Sequence, residues 1–248
     1  MNQPHQPLPS SFTQKPEAIH GPMEQEGGIK VTLEALLKYP QQIIPQLNSG
    51  KQKKLIASFV GTIVFCALVY GIIVGTFSGG EQLWIAPLKI IIGIFSSTLI
   101  CFPSLYIFAC LSGVDIKISA ASGLLCAALS LSSVLMLGFV PVAWIFSQST
   151  NSIIFMGALH LAIWIISTCY GLRLLYHGIT NSSGAGKLMH LRVWSIIFII
   201  VGLQMTTALR PMIGVSSNFL PKEKKFFLSY WAECIKNTAA ISTSQSKQ

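Results

Sequence analysis

The sequence predicts an all-α protein: a polytopic transmembrane helix bundle of about five spans, led by a disordered N-terminal tail and a short amphipathic helix. Residues 118–172 contain no Asp, Glu, Lys or Arg, and water would not solvate that much apolar chain while a bilayer would. Over the whole chain 52% of residues are hydrophobic, 10% are charged and mean hydropathy is +0.61, against about a quarter charged in soluble domains. The polar, uncharged run Ser147-Gln148-Ser149-Thr150-Asn151-Ser152 divides the long apolar stretch into a helical hairpin.

Net charge is +9. In a soluble protein such a balance would suggest nucleic acid. Here Lys and Arg gather in short flanks beside apolar segments, which is how topology determinants are placed, and no nucleic-acid partner is expected. Cys66, Cys101, Cys110, Cys126 and Cys169 fall in or beside apolar segments as small hydrophobes, with no C-x-x-C pair to suggest zinc or a dithiol. The first 50 residues hold no apolar run of signal-peptide length, so the first span is expected to act as its own membrane signal.

In chain order, residues 1–28 form a Pro- and Gln-rich segment without hydrophobic periodicity, predicted to be a disordered cytoplasmic tail. Residues 29–54 form the amphipathic helix and a basic lead-in. Leu33, Leu36 and Leu37 share one helical face, Lys30, Glu34 and Lys38 another, Pro40 ends the pattern, and Lys51, Lys53 and Lys54 precede the membrane. Residues 29–47 suit either the membrane surface or docking of a protein partner. The five-span domain covers 55–211, with spans at 55–77, 85–111, 118–146, 153–176 and 193–209.

Within span 1, Ala67, Gly71, Gly75 and Gly79 recur every four residues, and span 3 carries Gly123 and Ala127. Such stripes let another helix approach closely, within the bundle or in a homo- or hetero-oligomer. Pro103 should kink span 2, and span 3, long for a bilayer, should tilt or break near Gly138 and Pro141. Residues 212–248 read as an interfacial segment and flexible C-terminal tail, with Tyr230 and Trp231 beside lysines. The path through Pro211 and Pro221 could also turn back into the membrane.

The basic loops fall on one side: Lys51, Lys53 and Lys54, then Lys117, then Arg173 to Arg192. That pattern predicts a multi-pass protein of the cytoplasmic (inner) membrane with its N-terminus in the cytoplasm.

Candidate functional residues are few. His160 is an ionisable group inside a span, either a proton relay or ligand contact, or a neutral ring hydrogen-bonded to a serine on a neighbouring helix. Glu81, Lys89 and Arg210 all lie towards the opposite boundary, where they could pair. Lys89 could instead snorkel, with its stem in lipid. Gln204 and Arg210 belong to a polar stripe of span 5. The run from Gly184 to Lys187 lacks the first glycine and the Ser or Thr of a phosphate loop. With eight acidic residues, mostly in the tails, and no acid–base set within a span, neither catalysis, a cofactor nor a metal is expected.

The runs Phe77-Ser78-Gly79-Gly80, Ala86-Pro87-Leu88-Lys89-Ile90, Cys101-Phe102-Pro103-Ser104-Leu105-Tyr106-Ile107-Phe108, Gln204-Met205-Thr206-Thr207-Ala208-Leu209-Arg210-Pro211 and Glu223-Lys224-Lys225-Phe226-Phe227 resemble an uncharacterised family of bacterial multi-pass membrane proteins. More distantly the plan, with its Leu36-Leu37-Lys38-Tyr39-Pro40 lead-in before five spans, is similar to the YIP family. That resemblance implies a trafficking or membrane-shaping architecture, although the acidic-Tyr-Gly-Pro segment of that family is missing from this sequence. Two functions follow as expectations. One is a non-enzymatic membrane scaffold or assembly partner. The other is a small transporter or permease subunit with a polar path around His160, Lys89, Gln204 and Arg210.

Overall fold

The computed structural model describes residues 52–78, 82–114, 116–150, 152–181 and 189–208. Six helices follow one another within them: α1 Gln52–Ser78, α2 Gln82–Leu111, α3 Ile118–Gly138, α4 Val140–Ser149, α5 Ile153–Asn181 and α6 Met189–Ala208. No strand occurs among the described residues. All but α4 are long and apolar enough to cross a membrane, and the shortest apolar segment, in α6, has 18 residues. At about 1.5 Å per residue that segment extends ~27 Å, close to the ~30 Å hydrocarbon core. The chain is a multi-pass integral membrane protein. The tail, the amphipathic helix up to residue 51, Gly79, Glu81, Arg210 and the segment 212–248 lie outside the described residues.

One boundary differs from the sequence reading. Lys53 and Lys54, assigned to the lead-in, belong to the first turn of α1. The third span breaks where the sequence leads one to expect, between Gly138 and Pro141: the chain turns at Phe139 between α3 and α4. Pro141 has no N–H to give the carbonyl of Leu137, and its ring crowds that turn. The N–H of Phe139 is instead shared between the carbonyls of Leu135 and Met136, at 3.2 and 3.1 Å. By contrast α2 continues through both Pro87 and Pro103.

The end of α2 is built by one glycine. Gly113 has φ +76°, in the left-handed region that only glycine enters without strain. This turns the chain so that the N–H of Val114 reaches the carbonyl of Ala109 at 3.2 Å and the N–H of Gly113 that of Cys110 at 2.9 Å, a Schellman closure. Val114 then packs into the core beside Ala109.

Helix α1 lies between α2 and α3, while α5 packs on the other side of α3 and α6 on α2. Close approach depends on small residues, as in membrane bundles generally. A Cβ on Gly71 would run into the backbone of Pro87, and one on Gly171 into Ser132 and the Ala128 carbonyl. Gly75, Gly123 and Ala127 are also buried.

Buried apolar side chains form two clusters, one at each end of the bundle. The larger joins Phe59, Leu105, Leu125, Leu175 and Trp194 at the end that also bears Lys53, Lys54, Lys117, Arg173 and Arg192. The smaller joins Tyr70, Val74, Met136, Ala143 and Ile163 at the opposite end.

Most hydroxyls inside the helices satisfy themselves. Thr62, Ser97, Ser132 and Ser133 each donate to the carbonyl four residues back in their own helix, at 2.8–3.0 Å, which removes their need for a partner in lipid. Trp194 makes a cross-helix link instead: its Nε1 donates to the Cys101 carbonyl at 3.2 Å and to Ser104 Oγ at 3.1 Å.

Candidate functional site

An imidazole cannot bond back to its own helix as a serine does, so His160 must find its partner on another helix. That partner is Tyr70. The Tyr70 hydroxyl and His160 Nδ1 are 2.8 Å apart, and the rings meet edge-on, with centroids 5.6 Å apart and planes at 88°. The serine partner considered from sequence is not used. Tyr70 comes from α1 and is 2% exposed. Four residues along α1 lies Val74, and with Met136 and Ile163 it makes the apolar wall around Tyr70. Leu159 and Trp164 of α5 flank the wall.

The pairing leaves a polar atom over. If the Tyr70 hydroxyl donates to Nδ1, the ring proton sits on Nε2. If Nδ1–H donates to the hydroxyl, Nε2 carries the lone pair. In either tautomer Nε2 is buried and, among the described residues, has no hydrogen-bond partner. Ser167, two turns further along the same face of α5, is 0% exposed and its Oγ likewise has no partner among the described residues. Between them Trp164 packs against Gly202 of α6, where a Cβ would sit 2.6 Å from the indole.

Gln204 is on α6, and its buried Oε1 has no hydrogen-bond partner among the described residues. It lies two residues from Gly202, about 200° around the helix at 100° per residue, so it does not share the face that meets Trp164. Lys89 of α2 is 0% exposed and has an interaction within the protein, which fits a side chain held inside the bundle rather than one snorkelling to headgroups. The structure therefore joins His160 to Tyr70. Among the described residues it does not join His160, Lys89 and Gln204 to one another by hydrogen bonds.

Tyr70 was not singled out from sequence. A tyrosine in an apolar span passes for a hydrophobe, and the only available signal was the helical pattern that places it one residue from Gly71 on the packed side of α1. Chemically, the pair can bind a proton or hydrogen-bond a small polar ligand. No carboxylate stands among the described residues, and they contain no cluster of three or more metal-ligating side chains. Comparison with protein-family models, curated proteins and solved structures gives no match to this chain.

Proposed function

We propose that this membrane protein is a non-enzymatic scaffold or assembly partner of YIP-like five-span plan, resident in a cytoplasmic membrane with its basic end and N-terminus in the cytoplasm. The observation that carries the reading is the closed pair: the one histidine of the apolar hairpin is engaged with Tyr70, and its second nitrogen is shut away from solvent. A permeation path would line such a group with water. Its partner-binding element would be residues 29–47.

A second reading, a small transporter or permease subunit, is favoured by the buried and unpartnered polar atoms on His160, Ser167 and Gln204. Buried polar atoms left without partners are costly, and sites that retain them often serve a ligand.

The test is crosslinking in native membranes of the full chain and of a version lacking residues 1–50, with captured proteins identified and then re-bound in purified form. The scaffold reading expects a defined partner that is lost on truncation and kept in His160→Ala. Uptake by proteoliposomes that His160→Ala abolishes would establish the transporter instead. A cysteine placed at Lys117 should react only after the cytoplasmic face is opened, and one at Thr150 should react from outside.

A further inference from the structure

We propose that the basic ends of α5 and α6 together bind a phospholipid with an anionic headgroup, its phosphate held by Arg173 and Arg192. Both arginines are exposed. All eight Asp and Glu residues of the chain lie outside the described residues, and among the described residues neither arginine faces a carboxylate. Arg192 is nevertheless drawn to the helix that carries Arg173. The Arg192 guanidinium lies 5.8 Å from the centre of the Tyr176 ring, within cation–π range, which draws the cation of α6 onto α5. Tyr176 is three residues from Arg173, so it shares that face of α5.

What stands above each arginine selects a lipid over a soluble phosphate. Along α5, Tyr170 and Ile166 follow Arg173 at spacings of three and seven towards the bilayer centre, and both are exposed, at 54% and 44%. Along α6, Ile196 and Ile200 follow Arg192 at spacings of four and eight and are exposed at 59% and 48%. Each cation is thus the foot of an apolar stripe pointing into the membrane. Between the stripes the two helices touch only sparingly, with α5 resting mainly on α3 and α6 on α2. A headgroup at the arginines with acyl chains on the stripes satisfies both the charge and the apolar surface. A guanidinium pair also suits phosphate oxygens geometrically, since each offers a planar fork of donors.

The experiment uses the full-length protein in neutral detergent, where diffuse membrane potential is absent and distant charges are screened within about 8 Å at physiological salt. Bound lipid is counted by native mass spectrometry during titration with phosphatidylglycerol, phosphatidylcholine or inorganic phosphate. Phosphatidylglycerol should be retained over phosphatidylcholine, and inorganic phosphate should not displace it. The double variant Arg173→Gln/Arg192→Gln should weaken retention about thirtyfold, and Lys53→Gln/Lys54→Gln, which removes equal charge from the same end, less than about threefold. Tyr176→Leu keeps both charges and should also weaken retention, providing a second reading should the double variant fold poorly. Equal losses in the arginine and lysine variants, retention unchanged in Tyr176→Leu, or displacement by phosphate would each overturn the proposal.

Discussion

Replacing Gly71 by Ala should destabilise the bundle, whereas the same change at Gly61, in the same helix, should not. A methyl on Gly71 would lie 2.9 Å from both Cβ and N of Pro87 and against its Cα, where carbon atoms prefer about 3.5–4.0 Å. Pro87 cannot swing aside, because the atoms in the way are ring and backbone inside α2. The helices must therefore separate by up to about 1 Å, and a gap of that size forfeits a quarter to a half of each dispersion contact along the seam. Overpacking of this kind costs about 1–3 kcal/mol, and the tightness of the contact argues for the upper half. A Cβ on Gly61 meets nothing within 4 Å, so there alanine contributes only its better helix propensity, about 1 kcal/mol at most. Thermal unfolding in detergent, followed by reaction of the buried Cys66 and Cys101 thiols with a fluorogenic maleimide, would read both variants. Equal midpoints for the two would refute the reasoning, since helix propensity would then outweigh the crossing.

Tyr70→Phe should cost about 1 kcal/mol, and a double-mutant cycle with His160→Leu should return a coupling of about 0.6–1.7 kcal/mol, the range for hydrogen bonds between membrane helices. Gly113→Ala should cost about 1–2 kcal/mol, the penalty for a side chain in the left-handed region, seen as a lower unfolding midpoint. Trp194→Ala should cost about 3–5 kcal/mol by removing a wholly buried indole. Trp194→Phe should cost about 1 kcal/mol, for the donor lost to Cys101 and Ser104.

The spans were legible because their cause is local. Apolar length and the charged punctuation at Lys53, Lys117, Arg173 and Arg192 decide where the chain can enter and leave lipid. The break at Phe139 was legible for the same reason, since Pro141 removes a donor whatever surrounds it. The end of α2 could have been read too: a Gly straight after Leu111-Ser112 at the close of an apolar run is a C-cap signal. The site was legible only in part. His160 announces itself by its charge chemistry, but Tyr70 is 90 residues away, and which faces meet depends on how α1 and α5 are rotated about α3. Lys89 illustrates the same limit, because its sequence position suits a snorkelling cation and a buried one equally and only the packing of α2 decides. Gly171 and Gly202 prove to be contact points that the sequence reading did not single out: Gly171 fits against Ser132 and the Ala128 carbonyl, and Gly202 against the indole of Trp164.

Ser167 separates a structural hydroxyl from a functional one. In α3, Ser132 and Ser133 are buried and donate to their own helix, so they act as small packing residues with their polarity cancelled. Ser167 is as deeply buried, yet its Oγ makes no such bond, and an unpaired buried hydroxyl costs about 1–3 kcal/mol. Ser167→Ala removes that cost and leaves a cavity smaller than a water molecule, so the unfolding midpoint should stay level or rise. Ser132→Ala has no such gain available. A stabilising change that also lowered partner binding or uptake would mark Ser167 as part of the site, because groups held at a cost to stability are those a function needs. If Ser167→Ala instead destabilises by more than about 1 kcal/mol, the hydroxyl has a partner in the membrane, and the polar face of α5 from His160 to Ser167 belongs to the packing of the bundle.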